Sequence, residues 1–250
     1  MNHHILITSA VDQELEHITG TMIRTGQKTI GNRSVIEGNL GNHQVRLIVS
    51  GPGLVNTVQA ITACIENKKP AMIIQTGCAG AFRESGLHPG DIGIADEEVD
   101  IHLGIEPASP YDTVRELPFP VLIKNHSIYK NRYKFDTKLA DYAEKTLGRS
   151  MEKIGVRVRK GTFVTVATIT ATDKKAASLF HQYTAIMEAM EGSGAAHLAV
   201  LYDIPFLEIR CASNMVGKRE RFEWNLPLAC RRSNEAVITF LDSWAPGGVV

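Results

Sequence analysis

The chain has 250 residues, with 27 basic and 27 acidic side chains and 44% hydrophobic residues. This length corresponds to one large domain or two small ones, and it allows an extensive buried core. The zero formal charge provides no global field for nucleic acid, and no apolar run is long enough to span a membrane, so we expect neither partner.

The cysteines predict a reducing compartment. Cys64, Cys78, Cys211 and Cys230 lie far apart in the sequence and include no CxxC pair, which favours buried free thiols. The first ten residues also lack the apolar core of a signal peptide. We therefore expect a cytoplasmic protein.

Strand and helix patterns alternate along the first third of the chain. They predict a strand at 4–9, a helix in VDQELEHI, strands at 34–40 and 44–49 joined at Gly41-Asn42, a helix from Val55 to Glu66, and a buried strand in AMIIQTG. We expect CAGAF to form a glycine turn after that strand, because its small residues allow the backbone to come close to a ligand.

The alternation continues to the end of the chain. The patterns predict a strand in DIGIADEEVD, a proline-rich excursion over a site from Gly104 to Asn125, a helix at 136–148, a strand at 156–170, a helix at 173–182, a helix in MEGSGAAHLAVLYD, a strand in PFLEIRCAS and a helix in LPLACRRSNEAVITFLDSW. This order predicts a single three-layer α/β/α domain with a central mixed, twisted β-sheet over residues 1–244, and residues 245–250 as a tail.

Three polar residues follow predicted strands, where ligands collect in α/β folds. They are Glu14, Glu191 and Asn214. Taken singly, a glutamate in a first helical turn is commonly a surface residue, and an asparagine after a strand is commonly a turn residue. Glu191 stands out because Gly192 and Gly194 leave room for a ligand beside it. The functional interpretation therefore rests on the combination.

Several other chemistries lack their sequence signatures. The turns at 51–53 and 76–82 match neither a dinucleotide-binding motif nor a P-loop, and the nine histidines show no metal-ligand spacing. Ser9, Ser50 and Ser213 follow strands, but none lies in a GxSxG motif. We expect no cofactor and no metal.

The motifs taken together resemble those of the nucleoside phosphorylase and nucleosidase superfamily. The segments that carry the resemblance are ITSAVDQEL, SGPGLVN, TGCAGAF, GDIGIADE, AMEGSGAAHLA and IRCASN, in the order of the family and over nearly the whole chain. Methylthioadenosine/S-adenosylhomocysteine nucleosidases are similar but normally end the last motif in Asp. Asn214, NMVGKRERFEW and HLGIEPASPYDTVRELPFPV instead resemble futalosine hydrolase of the alternative menaquinone pathway.

The resemblance implies a nucleoside phosphorylase-like fold, a homodimer or larger homo-oligomer, and a catalytic role for each of the three polar residues. Glu14 would activate the attacking water as a general base. Glu191 would bind the ribose hydroxyl groups and stabilise the cationic sugar. Asn214 would bind the base.

The resemblance also implies which residues touch the nucleoside. Cys78, Ala79 and Gly80 would line the base and ribose, Met190 would pack under the sugar, and Ile169 stands where an aromatic residue usually stacks on the purine. Futalosine also carries a benzoate, for which Arg219 or Arg221 is the candidate partner, with Arg219 preferred. The alternative is that this KRER run is a solvated loop.

Asn214 indicates which base is released, and Gln75 indicates which nucleophile attacks. An amide cannot protonate the departing base, and a 6-oxopurine leaves as an anion more readily than adenine, which favours hypoxanthine. Related phosphorylases carry an arginine where this chain has Gln75, so water is favoured over phosphate. A methylthioadenosine/S-adenosylhomocysteine nucleosidase, a nucleoside phosphorylase and a non-catalytic nucleoside-binding protein stay open as alternatives.

Overall fold

The computed structural model describes residues 4–109, 112–135, 137–218 and 224–245. Within these ranges the strands are Ile5–Ser9 (β1), Ile23–Ile30 (β2), Arg33–Leu40 (β3), His43–Val49 (β4), Met72–Ala81 (β5), Ile92–Asp100 (β6), Leu122–Lys124 (β7), Ser127–Tyr129 (β8), Arg132–Lys134 (β9), Val158–Thr165 (β10), Met187–Ala189 (β11) and Phe206–Met215 (β12). The α-helices are Glu16–Thr21 (α1), Leu54–Asn67 (α2), Thr137–Met151 (α3), Asp173–Tyr183 (α4), Gly192–Tyr202 (α5) and Leu226–Ser243 (α6).

One mixed sheet organises the described residues. Its strands run in the order β11, β10, β6, β12, β5, β1, β4, β3, β2, and β9 pairs with residues 97–99 of β6, beyond the segment 92–94 that pairs with β12. Strand β11 also pairs with β5, so that β5, β12, β6, β10 and β11 close into a barrel. Cys78 in β5 and Asn214 in β12 lie near the carboxyl ends of these strands, and Glu191 directly precedes α5.

Helices cover both faces of the sheet. One core layer joins apolar residues of α1, α3 and α6 to the sheet, including Leu147 and Phe240. The other joins α2 and α5 to the opposite face, including Ile61 and Leu198. Successive side chains along a strand point to opposite faces of the sheet. The same strands therefore contribute apolar residues to both core layers. The expected three-layer α/β/α architecture with a mixed sheet is confirmed.

Strand β2 was not expected from the sequence. Its side chains are almost all exposed, because it lies at the edge of the sheet and pairs only with β3. Without a buried face its sequence, IRTGQKTI, carries no alternation of apolar and polar residues.

The prediction of a glycine turn at TGCAGAF is wrong. Strand β5 continues through these residues to Ala81, paired with β12 on one side and with β11 on the other. The backbone bends within the strand at Gly77, where φ is +142°. Strand β10 ends at Thr165, so the predicted strand at 156–170 is also too long, and residues 166–172 form a loop.

None of the helices in the described ranges is long and apolar enough to cross a membrane. His102, two residues before the proline-rich excursion, contacts the loop that carries Ile169: its ring nitrogen Nδ1 accepts a hydrogen bond from the N–H group of Ala167 at 2.8 Å.

Candidate active site

Glu14 is a buried carboxylate held by backbone donors. Its Oε2 atom accepts hydrogen bonds from the N–H groups of Ala10 at 3.0 Å and Val11 at 3.2 Å, and its Oε1 atom accepts one from Cys78 at 2.8 Å. Only 5% of the residue is exposed. Three backbone donors fix the position of this carboxylate without neutralising its charge by a cation.

Two further residues shape the position of Glu14. A side chain at Gly77 would overlap the Glu14 carboxylate, so glycine is required where β5 passes it. From α6, the buried Asn234 amide donates to the Glu14 carbonyl oxygen at 2.6 Å and accepts from the N–H group of Ile18 at 3.0 Å. The amide therefore anchors the backbone on both sides of the turn into α1.

Glu191 directly precedes α5 and is 4% exposed. Its Oε1 atom accepts a hydrogen bond from the N–H group of Gly53 at 3.0 Å, and its Oε2 atom accepts one from Arg210 Nη2 at 3.0 Å. Gly53 has a φ of +86°, a conformation that favours glycine. The GPG segment thus presents a backbone donor to the second carboxylate.

Arg210 connects Glu191 to Glu14 by way of Cys78 in β5: the guanidinium binds Glu191 and the Cys78 carbonyl oxygen, and the Cys78 N–H group donates to Glu14. Its guanidinium donates from Nε to Glu208 at 2.7 Å, from Nη1 to the carbonyl oxygen of Cys78 at 3.0 Å, and from Nη2 to Glu191. The side chain is 1% exposed. Burial alone would lower the pKa of Arg210, but the charges of Glu208 and Glu191 hold it above its ordinary value.

Asn214 and Glu188 flank Gly80 from the two strands that pair with it. The Cα atom of Gly80 is opposite that of Asn214 in β12 and that of Glu188 in β11. Residues opposite each other on paired strands project to the same face. Glycine is required at position 80, since a Cβ atom there would meet Val216 Cγ2 at 2.9 Å and Asn214 Nδ2 at 3.4 Å.

The Glu188 carboxyl is buried, and one of its oxygens lacks a partner among the described residues. Its Oε1 atom accepts from the N–H group of Thr170 at 3.0 Å, and its Oε2 atom has no partner among the described residues. Burial raises the pKa of Glu188, and the Thr170 contact opposes that shift. Glu188 thus links β11 to the loop that follows β10.

The remaining predicted binding residues lie around these groups. Ala79 is buried and accepts from the Ser213 hydroxyl at 3.2 Å, Met190 is half-buried against the core beside Phe180, and Ile169 is 40% exposed on the loop after β10. Arg219 and Arg221 lie outside the described residues.

The cysteines differ partly from the expectation of four buried thiols. Cys64 and Cys211 are buried, while Cys78 and Cys230 are half-buried. All four are free, and the Sγ atoms of Cys78 and Cys230 are 3.4 Å apart. The contact with Cys230, together with burial, raises the pKa of Cys78. The described residues contain no group of three or more His, Cys, Asp or Glu side chains placed to hold a metal ion.

The structure brings Glu14, Glu191, Asn214 and Cys78 to one end of the barrel. Sequence reasoning missed Arg210, Glu208, Glu98, Glu188 and Asn234 among the buried polar groups. A signal for two of them was present, because Glu208 and Arg210 are charged residues two apart within the apolar run PFLEIRCAS and must share one face of the strand. Charges in a buried strand are rare unless paired.

Comparisons with known proteins give the same family as the motifs. Residues 4–242 match the family model described as the phosphorylase superfamily. A 5'-methylthioadenosine/S-adenosylhomocysteine nucleosidase of Actinobacillus succinogenes is 30% identical over 241 residues, covering 94% of this chain and 96% of that protein. The corresponding nucleosidase of Haemophilus influenzae is 28% identical over 239 residues, covering 94% and 97%.

Solved structures share the fold. The same type of nucleosidase from Neisseria meningitidis, in complex with methylthio-immucillin-A, has a TM-score of 0.82 at 23% identity and covers 96% of this chain and 99% of its own. Futalosine hydrolase of Helicobacter pylori has a TM-score of 0.80 at 16% identity, covering 98% and 99%. The chain therefore belongs to the phosphorylase superfamily, in which its curated relatives are nucleosidases that hydrolyse an N-glycosidic bond.

Proposed function

We propose that the protein hydrolyses the N-glycosidic bond of a 6-oxopurine nucleoside, with futalosine as substrate and hypoxanthine as the released base, in menaquinone biosynthesis. The observation that carries this proposal is the arrangement of Asn214 and Glu188 on either side of Gly80. Hypoxanthine presents N1–H as a donor and O6 and N7 as acceptors, whereas adenine presents N1 as an acceptor and a 6-amino donor.

The two side chains complement the hypoxanthine edge. The Asn214 amide can donate to a purine acceptor, and the buried, unpartnered Oε2 atom of Glu188 can accept the N1–H group. Adenine would offer its N1 lone pair to that oxygen, and two acceptors facing each other in a buried site are unfavourable. The N–H group of Thr170, in the loop that follows β10, is already paired because it donates to Glu188.

Glu14 activates the nucleophile in this proposal. Its carboxylate is held by three backbone donors, while Arg210 donates to Glu191 and Glu208 rather than to Glu14. It binds the attacking water, takes a proton from it as the bond to the base breaks, and so acts as the general base.

Glu191 stabilises the charge that develops on the sugar. The transition state of N-glycosidic cleavage has ribosyl-cation character, and a fixed carboxylate beside it lowers its energy. Arg210 shares its charge between Glu191 and Glu208, so it does not fully neutralise Glu191. Met190 packs beneath the ribose.

Water is the proposed nucleophile rather than phosphate. Gln75, at the position where phosphorylases carry an arginine, is fully buried and faces Glu208 in the adjacent strand. A phosphate anion needs a cationic pocket, whereas among the described residues Glu14, Glu191 and Glu208 all lie near the Arg210 guanidinium. The carboxylate-rich site favours a neutral nucleophile.

A second candidate is hydrolysis of methylthioadenosine or S-adenosylhomocysteine, because the relatives that match over most of the chain are named for those substrates. An assay of the purified protein distinguishes the two, and phosphorolysis as well. Base release from futalosine, inosine, methylthioadenosine and S-adenosylhomocysteine is followed chromatographically with and without phosphate. The proposal expects hypoxanthine from futalosine at the same rate in both buffers. Adenine as the main product, or a requirement for phosphate, would contradict it.

A further inference from the structure

Two carboxyl groups beneath the start of α5 have no role in the reaction as derived above. Glu98 lies in β6 and Glu208 in β12, and both are fully buried. Such burial is costly for an ionised carboxylate without a partner. Their hydrogen bonds decide which of the two carries a proton.

One carboxyl oxygen of Glu98, Oε2, accepts a hydrogen bond from the Thr165 hydroxyl group. The Thr165 hydroxyl oxygen accepts the N–H group of Ser193 at 2.8 Å and lies 2.6 Å from Glu98 Oε2. Because Ser193 uses a lone pair of that oxygen, the hydroxyl proton is free to be donated to Glu98 Oε2. The remaining oxygen, Oε1, has no partner of its own among the described residues.

Glu208 supplies the acceptor that faces Glu98. Its Oε1 atom accepts from Arg210 Nε at 2.7 Å, and within the described part of the chain its Oε2 atom also lacks a partner. A side chain at Gly192 would overlap both Glu98 Oε1 and Glu208 Oε2, so these two oxygens face the same small space. Two ionised carboxylates there would repel each other, whereas one shared proton satisfies both.

The proton belongs to Glu98. Burial raises the pKa of Glu98 well above its ordinary range, and the charge of Glu208 adds to that shift. Burial also raises the pKa of Glu208, but the Arg210 guanidinium opposes it. Glu98 is therefore the neutral acid that donates, and Glu208 is the carboxylate that accepts.

We infer that Glu98 and Glu208 are positioning residues for the reaction. The Glu98 acid orients Glu208, and Glu208 competes with Glu191 for Arg210, so that Glu191 keeps the negative charge required beside the ribosyl cation. This inference rests on the proposed function, in which Glu191 acts on the sugar. Neither residue touches the nucleoside in this account.

The test compares Glu98→Gln with Glu208→Gln. In Glu98→Gln the amide N–H group replaces the acid proton as donor to Glu208, and the amide oxygen still accepts from Thr165, so kcat should stay within about threefold of wild type. In Glu208→Gln the charge opposite Arg210 is lost and the guanidinium shifts toward Glu191. We expect kcat to fall by up to about 10²-fold with a smaller change in KM.

The pH profile of kcat distinguishes a positioning role from a merely structural one, because a merely structural role would leave this profile unchanged. The groups facing Glu98 are Thr165 from β10, Glu208 and Arg210 from β12, and the uncharged Gly192 at the start of α5. Ionisation of Glu98 as the pH rises through its raised pKa places a second negative charge in this space. The resulting loss of kcat in the wild type should be absent in Glu98→Gln, which cannot ionise.

The double variant Glu98→Gln, Glu208→Gln covers the case in which Glu208→Gln alone does not fold, because its two amides can pair without charge. It should fold and be as slow as Glu208→Gln. Wild-type kcat in any variant lacking Glu208, equal losses in the two single variants, or the same loss of kcat with rising pH in Glu98→Gln as in the wild type would overturn the inference. If the wild-type protein releases no base from any nucleoside, the proposed function itself fails.

Discussion

The guanidinium of Arg210 donates to the carbonyl oxygen of Cys78 at 3.0 Å, on the residue whose N–H group donates to Glu14. One residue of β5 therefore joins the arginine to the proposed general base, while the same guanidinium binds Glu191. A displacement of Arg210 should affect both carboxylates.

Replacement of Arg210 by Met should destabilise the protein strongly. Glu208 and Glu191 would lose their shared cation in a buried site, and breaking a buried ion pair in this way costs about 3–5 kcal/mol. The free energy of unfolding in urea measures the loss. Arg231→Met is the matched control, because Arg231 is 63% exposed and its ion pair with Glu235 spans 3.7 Å. An equal effect of both substitutions would contradict the assigned role of Arg210.

Replacement of Glu14 by Gln should remove most turnover. The amide cannot accept the proton of the attacking water, and loss of a general base costs about 10²–10⁴-fold in kcat. The new amide would also face one of the three backbone donors, so a small decrease in melting temperature is expected. Glu16→Gln, on the exposed side of the same turn, is the control. Wild-type kcat in Glu14→Gln would exclude it as the base.

Much of this arrangement was predictable from sequence. Glu14 and Glu191 each follow a strand, whereas Asn214 still lies within β12, because that strand continues to Met215. Glu14 binds Cys78 of β5 and Asn214 pairs with Gly80 of the same strand, near the carboxyl ends where ligands collect in α/β folds. Strand β2 was not predictable, because an edge strand with exposed side chains has no hydrophobic period. The path of β5 through CAGA depends on its pairing with β11 and β12, which are far away in sequence.

The buried polar groups show a second limit of sequence reasoning. Glu98 and Glu208 are separated by more than a hundred residues in the sequence. Only the fold brings their carboxyl oxygens to the same small space beside Gly192. The sequence marks them as charged residues in strands. It does not show that they face each other.

Replacement of Glu188 by Gln should change the preferred base. The amide offers an N–H donor where the carboxylate offers an acceptor for hypoxanthine N1–H, and an unsatisfied buried group costs about 1–3 kcal/mol. The ratio of kcat/KM for inosine to kcat/KM for adenosine should therefore fall. This ratio is insensitive to a general loss of folded protein. An unchanged ratio would show that Glu188 does not contact the base.

Replacement of Asn214 by Asp should move the preference in the same direction by a different route. A carboxylic acid can donate a proton to the departing base, which adenine needs more than hypoxanthine does. We expect a gain on methylthioadenosine relative to futalosine of about 1.5–3 kcal/mol, the range for a hydrogen bond to a charged group. The two specificity constants, measured in one buffer, give the shift. No change in their ratio would remove Asn214 from base selection.

His4 predicts a pH dependence of stability. Burial lowers the pKa of His4 from 6.5 to about 4, so the folded protein holds the neutral ring where the unfolded chain binds a proton. Stability is therefore complete above pH 6.5 and decreases as the pH falls toward 4, by at most about 1.4 kcal/mol per pH unit for one proton. Urea midpoints at pH 7 and pH 5 measure this loss. It should be smaller in His4→Leu, and equal losses in both proteins would contradict the prediction.

The base selected by the wild-type protein tests the central claim most directly. The measurement is kcat/KM for futalosine and for methylthioadenosine, determined with the same enzyme preparation in phosphate-free buffer. The account predicts the larger value for futalosine, with hypoxanthine as the released base. A larger value for methylthioadenosine, with adenine released, would contradict it.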